Sequence, residues 1–222
     1  SDGNELVDPG TTKKNNQIYD SNRFMIMDLL KLPCNIVADG GILNDDYEKI
    51  KRKIITLKEK NDLIVISGGA SVGHKDYVVK IIKKIGKIIF SSIAIKPGRP
   101  MSFGILDNKV PILILPGNPV ASFVTFNLFG NFILNCMHGL ISKKPDFFLV
   151  KSNFNMMKKY GREEYLRGKL VRKKNELFVN KYFTEGAGIL SSVVWSDGLI
   201  KLDAETKKIK INDYLQFFPY NK

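Results

Sequence analysis

Leu63-Ile64-Val65-Ile66-Ser67-Gly68-Gly69-Ala70-Ser71-Val72-Gly73 sets an unbroken apolar run directly against a turn with three glycines. Four successive apolar residues, Leu63 to Ile66, predict a strand buried on both faces, the habit of parallel sheets. Beyond the turn, Asp76 to Ile85 predicts a helix that Gly86 would end in left-handed geometry. The passage from a strand through a glycine turn into a helix is where open α/β sheets take their ligands. Glycines let the backbone approach an anion, and a helix start supplies unpaired N–H groups and partial positive charge. On their own the glycines suit a phosphate and a bare tight turn equally, since neither a Walker loop nor a Gly-x-Gly-x-x-Gly fingerprint is present.

Outward from this stretch, residues 20 to 139 alternate amphipathic helix with short β-branched run, predicting an α/β domain with a mostly parallel sheet flanked by helices. Asp20-Ser21 opens a helix with Phe24, Met27 and Leu30 on its apolar side and Pro33 at its close, and a strand is expected at Asn35 to Ala38. Asn44-Asp45-Asp46 offers caps for a second helix bearing Ile50, Ile54 and Leu57. Strands follow near Ile88 to Ile95, Met101 to Ile105 and Ile112 to Leu115. Pro116-Gly117-Asn118-Pro119 then starts the longest helix, with Asn118 as cap and Pro119 in first position, ending at His138-Gly139.

After Lys143-Lys144-Pro145 the pattern becomes short alternating runs: Phe147 to Lys151, Glu164 to Val171, Leu177 to Tyr182, Leu199 to Leu202, Ile209 to Ile211 and Tyr214 to Pro219. Turns at Lys174-Asn175, Ser196-Asp197-Gly198 and Asn212-Asp213 separate them, so a small all-β, barrel-like domain is expected. The chain therefore divides into residues 1–142 and 143–222. Ser1-Asp2-Gly3-Asn4-Glu5-Leu6 has the character of a loop that should follow a strand, and with no initiator Met it predicts a piece of a longer protein.

Two further loops carry chemistry. Lys96-Pro97-Gly98-Arg99-Pro100 presents two cations on a rigid frame, which suits anion capture because little ordering entropy is lost on binding. Pro116-Gly117-Asn118-Pro119 is of the same kind, and the three loops are expected to converge on one sheet edge. Glu5, Asp20, Asp45 and Asp76 stand at loops or helix starts, where clustered carboxylates beside a phosphate hold Mg²⁺. Singly, Asp20 and Asp45 read as helix caps. His74 lies in the glycine turn and His138 at a helix end that favours positive charge.

Composition bounds the rest. The formal charge of +13 invites nucleic acid, but the lysines are scattered over polar faces with no recognition helix or stacking motif. A basic field also draws small anions. Cys34 and Cys136 lack any paired spacing and read as buried thiols. The run Val120 to Met137 is broken by Asn127, Gly130, Asn131 and Asn135, short of the roughly 18 residues a membrane span needs. No signal peptide is evident, so a cytoplasmic location is expected, with no membrane and no nucleic-acid partner.

The ordered motifs Gly3-Asn4-Glu5-Leu6, Gln17-Ile18-Tyr19-Asp20-Ser21-Asn22, Asn44-Asp45-Asp46, Ser67 to Gly73 with Asp76-Tyr77, Lys96 to Pro100 and Pro116 to Pro119 resemble the MoeA/gephyrin molybdopterin molybdenumtransferases. The resemblance continues at Arg162, Arg167-Gly168 and Gly186-Ala187-Gly188-Ile189-Leu190-Ser191-Ser192 and covers almost the whole chain. It implies a molybdopterin-binding, MogA-like domain followed by a β-barrel-like one. It implies insertion of molybdate into adenylylated molybdopterin with Mg²⁺-assisted hydrolysis and release of AMP. On that resemblance Glu5, Asp45 and Asp76 are catalytic and metal-binding. Asp20, Ser67, Gly68, Gly69, Ser71, Gly73, Lys96, Gly98, Arg99, Pro116, Gly117, Asn118 and Arg167 bind substrate. It also implies a homodimer in the full-length protein, with the family's N-terminal lobe absent here and turnover by this chain alone correspondingly poor. Ser92 stands where the family usually has lysine, and Ala187 where it often has serine. The alternatives are a molybdopterin adenylyltransferase, which the second β domain and the Lys-Pro-Gly-Arg-Pro loop disfavour, and a gephyrin-like scaffold.

Overall fold

The computed structural model describes residues 1–69, 77–140, 145–184 and 186–220. Two compact units emerge: Ser1–Ile93 with Pro100–Phe123, and Ala94–Arg99 with Val124–Lys222. Ser71, Gly73, His74 and Asp76 lie outside the described residues.

The first unit begins with two short parallel strands, β1 (Leu6–Val7) and β2 (Ile18–Tyr19). Helix α1 (Ser21–Leu29) starts where the Asp20 carboxylate accepts the Arg23 N–H, and α2 (Tyr47–Lys58) where Asp46 does the same for Lys49. These caps satisfy N–H groups that a helix start leaves orphaned. One turn apart on α2, Ile50 and Ile54 are fully buried. Strand β3 (Ile64–Ser67) precedes α3 (Tyr77–Ile85), whose Val78, Ile81 and Ile82 share one buried stripe while Lys83 and Lys84 close its last turn. After β4 (Gly86–Phe90) the chain places β5 (Ile95–Lys96) in the second unit, then returns with β6 (Ser102–Leu106) and β7 (Val110–Leu115). The sheet order is β3-β7-β6-β4. Its core joins Ile64, Ile66, Ile112 and Ile114 to the inner faces of α2 and α3.

Only β3 and β7 run parallel; β7-β6 and β6-β4 are antiparallel, so the sheet is mixed and not mostly parallel as expected. The cause is local. Asp107 and Asn108 both take positive φ, 47° and 55°, the tight-turn geometry that returns a strand alongside itself. Residues Asn35 to Ala38 form no strand, and Ile36 is wholly exposed, so no partner stabilises an extended pair there. Gly86 opens β4 and is not a left-handed terminator, and that strand stops at Phe90, well short of Ile95.

From Pro119 the chain forms one 19-residue helical run: α4 (Pro119–Thr125), a π-helical turn (Phe126–Gly130) and α5 (Asn131–Met137). The single long helix is as expected, but, contrary to what the sequence suggested, the asparagines and Gly130 do not bring its hydropathy below that of a membrane span. A helix this long and apolar meets the length and composition for crossing a membrane, but half of it is buried within the protein, which accounts for its composition. His138 and Gly139, at φ 73°, end it as expected. Both cysteines are exposed, which corrects the expectation of buried thiols: Cys34 lies in an irregular stretch and Cys136 on the outer side of α5.

The second unit is built on β8 (Phe148–Ser152), β9 (Met156–Met157), β10 (Glu163–Lys173), β11 (Glu176–Lys181), the short helix α6 (Ser191–Trp195), β12 (Gly198–Leu202), β13 (Lys208–Ile209) and β14 (Tyr214–Pro219). Pairing runs β10-β11-β8-β14-β12 and back to β10, a closed five-stranded barrel. Val150, Val179, Ile200 and Phe217 fill it. Closure leaves no free edge within the ring. Strand β5 attaches outside it, parallel to the start of β10 through Ile95 with Glu163 and Lys96 with Glu164.

Candidate functional site

The first unit brings two loops together. Strands β3 and β7 are parallel neighbours with Ser67 opposite Leu115, so the turns that follow them emerge side by side. The Gly68 N–H donates to Leu115 O at 3.1 Å. Gly68 and Gly69 sit at φ 94° and 64°, where a side chain is strained. A Cβ on Gly68 would collide with the Asp2 carbonyl, and one on Gly69 would lie 2.7 Å from Val78 and 2.8 Å from Asp2 Oδ2. Asp2 is positioned by its own N–H, which donates to Ser67 O at 2.9 Å. The backbone N–H groups of Gly69, Gly117 and Asn118 donate to no acceptor among the described residues. Unpaired donors on two adjacent turns form a cradle for an anion.

Asn22, in the first turn of α1, ties these turns. Its Nδ2 donates to Ser67 Oγ and to Gly117 O, both at 2.7 Å. Its Oδ1 is buried without a donor among the described residues, at a cost of about 1–3 kcal/mol that the two donated bonds must offset. Asp20 is almost wholly buried: Oδ1 accepts from Arg23 N at 3.1 Å and from Ser1 Oγ at 3.0 Å, while Oδ2 accepts no hydrogen bond among the described residues and lies 3.4 Å from Arg23 Nε as an ion pair. Arg23 also pairs with Asp8 and, at 3.3 Å, with Asp39. Asp20 thus holds its surroundings in place, as the capping reading expects.

The segments that carry Glu5 and Asp45 are tied together by two hydrogen bonds. Gly3 N donates to Leu43 O at 3.1 Å, and Asp45 N donates to Asn4 Oδ1 at 3.0 Å. The Glu5 carboxylate folds back over Gly3, where an added Cβ would meet it at 2.7 Å. Glu5 is exposed, Asp45 is partly so, and neither carboxylate has a cation partner among the described residues. Asp46 next to it is the cap, and the Lys49 backbone N–H holds its carboxyl below the ordinary value. Among the described residues no three His, Cys, Asp or Glu side chains form a metal-holding group. Two carboxylates without cation partners are nevertheless the donor type that Mg²⁺ takes when phosphate oxygens complete its shell.

The second unit holds the remaining predicted residues. The strand bearing Lys96 pairs with the barrel, so the basic loop does not emerge from the β3–β7 sheet as the sequence suggested. Lys96 Nζ lies 3.4 Å from Oε2 of the buried Glu164, a pairing that draws the segment to β10. Gly98, at φ 121°, packs where a Cβ would strike Thr125, and Arg99 is exposed. Arg167 is buried: Nε donates to Ser192 Oγ at 3.0 Å and Nη2 to Gly186 O at 3.4 Å. It thereby pins the loop Gly186 to Ser192 that carries Ala187. Burial pushes the nearby Tyr220 phenol up to about 12, so its hydroxyl stays protonated 2.9 Å from Ser196 Oγ.

Because Arg167 uses both ends of its guanidinium, Arg167→Met is expected to destabilise the second unit by about 2–4 kcal/mol, since bonds to a charged donor are each worth about 1.5–3. Arg167→Lys should recover only part, because an ammonium lacks the planar fork. Urea unfolding followed through Trp195, the chain's single tryptophan, reads this unit directly. An unchanged midpoint in Arg167→Met would overturn the assignment.

Asp2, Asn22 and Arg23 are the residues sequence reasoning did not single out. Asn22 lay within the Gln17 to Asn22 motif, but an asparagine at a helix start reads as ordinary capping chemistry.

Residues 1–135 match the family model described as "probable molybdopterin binding domain", and residues 150–219 match the MoeA C-terminal region (domain IV). The chain is similar to the molybdopterin molybdenumtransferase of Haemophilus influenzae, 34% identical over 100% of the chain and 55% of that protein. It is 30% identical to the Drosophila melanogaster molybdenum cofactor synthesis protein cinnamon, over 99% of the chain and 37% of that protein. A solved molybdopterin biosynthesis MoeA protein from Pyrococcus horikoshii superposes with a TM-score of 0.82 at 25% identity, covering 100% of the chain and 53% of that structure. The chain thus spans about half the length of the first of these curated relatives.

Proposed function

This chain belongs to the MoeA family of molybdenum cofactor biosynthesis proteins, with its molybdopterin-binding domain in residues 1–135, and from that premise we propose that it serves molybdate insertion into adenylylated molybdopterin. The observation that carries the reading is the pair of turns at the ends of β3 and β7, where Cβ-free glycines and undonated N–H groups face one another in a molybdopterin-binding family member. In this reading Ser67, Gly68, Gly69, Ser71, Gly73, Pro116, Gly117 and Asn118 hold the phosphate end of the pterin, with Asp20 fixing the adjoining helix.

Lys96 and Arg99, on the frame Gly98 provides, would attract molybdate, a tetrahedral dianion, and Arg167 would contribute by holding the loop Gly186 to Ser192 in shape. Glu5, Asp45 and Asp76 would hold Mg²⁺, which when bound neutralises charge on the phosphate released from the anhydride. The overall chemistry adds water across the phosphoanhydride and releases AMP, while molybdate joins the dithiolene. Preorganised donors and cations aimed at developing negative charge are the usual source of rate in such steps.

The proposal extends to a division into residues 1–142 and 143–222, which the two matches at 1–135 and 150–219 flank. A homodimer of the full-length protein rests on the family alone. The direct test incubates the chain with adenylylated molybdopterin, Mg²⁺ and molybdate and measures AMP release and cofactor formation. Pterin binding with AMP release that depends on molybdate and Mg²⁺ is the expected result. ATP-dependent formation of adenylylated molybdopterin would instead place the chain with the adenylyltransferases.

A further inference from the structure

The Gly117 carbonyl can only accept a hydrogen bond, so the Asn22 side chain must present its nitrogen there, and the amide orientation is fixed by that polarity. The second N–H of the same nitrogen then points to Ser67 Oγ. A hydroxyl oxygen that accepts from an amide turns its own proton elsewhere. Among the described residues no acceptor takes that proton. Ser67 and Asn22 are both nine-tenths buried, at 4% and 7% exposure, so neither bond is a loose surface contact.

We infer that Asn22 is a positioning residue that holds the Ser67 hydroxyl as a hydrogen-bond donor toward an anionic oxygen of the ligand, its phosphate, while locking the Gly117 turn to the Gly68 turn. The inference rests on the molybdopterin-binding reading and deepens it. The ligand class follows from the company of the hydroxyl: among the described residues the N–H groups of Gly69, Gly117 and Asn118 are likewise donors without acceptors. Several donors together select an oxyanion over a neutral carbonyl because their bonds reinforce one charge. Asn22 touches neither the anhydride nor molybdate in this assignment. It acts through Ser67 and through the spacing of the two turns.

The polarity of the relay makes it testable. Aspartate at position 22 keeps the size of asparagine but can only accept, so Asn22→Asp would draw the Ser67 proton to itself and repel the Gly117 carbonyl. The probe is the fluorescent, oxidised, phosphate-bearing pterin derived from molybdopterin, compared with the same pterin after phosphatase treatment. Ser67→Ala is expected to weaken binding of the phosphate form by about tenfold, the scale of one hydrogen bond to a charged group. Asn22→Asp should weaken it at least as much, and the double variant no more than Asn22→Asp alone, since the two act as one unit. Against the dephosphorylated pterin, each change should be under about twofold.

Ser67→Ala leaves Asn22 and both turns in place, so its phosphate-dependent loss stands as a test even where Asn22→Asp folds poorly. Equal losses against both pterins, or additive losses in the double variant, would overturn the inference and leave Asn22 a purely structural tie. If the unaltered chain bound neither pterin, the molybdopterin reading itself would fall, an outcome distinct from the first.

Discussion

Gly68→Ala is expected to remove pterin binding while leaving the barrel intact. The Gly68 backbone takes φ 94°, and an added methyl would be driven into the carbonyl of Asp2, a residue held in place by its own N–H, which donates to the Ser67 carbonyl. A left-handed backbone costs an L-residue about 1–2 kcal/mol. Displacing packed backbone adds about 1–3 kcal/mol. The cheapest escape is for the turn to swing away from Asp2, which separates Gly69 from Gly117 and opens the donor cradle. Pterin affinity should then fall by more than about tenfold, since that factor corresponds to only about 1.4 kcal/mol. The comparison is Gly139→Ala, at φ 73° with open space around its missing Cβ, which suffers the backbone strain alone. Fluorescence titration and thermal melting of both variants separate the effects: equal affinities in the two would sink the argument.

The second large effect is expected in chemistry, not binding. If Glu5 and Asp45 hold Mg²⁺ at the phosphate, Asp45→Asn should lower AMP release by a factor on the order of 10²–10³, the usual consequence of removing one charge-stabilising group. Pterin affinity should change little, because the cradle of N–H groups is untouched. Asp46→Asn is the control. Asp46 is the cap of α2, asparagine caps as well as aspartate, and its neighbour's role should not transfer to it. Single-turnover assays at several Mg²⁺ concentrations read the difference. Asp45→Asn with unchanged AMP release, or with the same modest loss as Asp46→Asn, would remove Asp45 from the site.

Much of the fold is legible from periodicity because burial dictates it locally. The run Leu63 to Ile66 announces β3, the i, i+3, i+4 spacing of Val78, Ile81 and Ile82 announces α3, and the alternating runs after residue 145 announce the barrel strands. Strand direction is a different matter. The turn at Asp107-Asn108 makes β6 and β7 antiparallel, yet the apolar runs on either side of it do not reveal that, because parallel and antiparallel partners bury the same residues. Ile36 illustrates the opposite failure: an apolar residue in extended sequence forms no strand without a neighbour to pair with.

For the candidate site, the glycine turns could be read because positive φ and close approach demand glycine. Their cross-link could not, because Asn22, Ser67 and Gly117 are brought together only by the packing of α1 against two parallel strand ends. Arg167 shows the same limit, since a charged residue in sequence does not announce that it is buried and spoken for by Ser192 and Gly186.

The excursion of residues 94–99 to the barrel sheet bears on how such a protein can be cut or recombined. A gene severed near residue 142 would deliver a ring of strands complete in itself yet missing β5, the segment that pairs with the start of β10. Glu164 would keep its buried carboxylate and lose its lysine, and the backbone of Glu163 and Glu164 would present an unclaimed edge to any passing chain. The boundary drawn by sequence similarity is therefore not the boundary for independent expression; a self-sufficient barrel has to bring its sixth strand along.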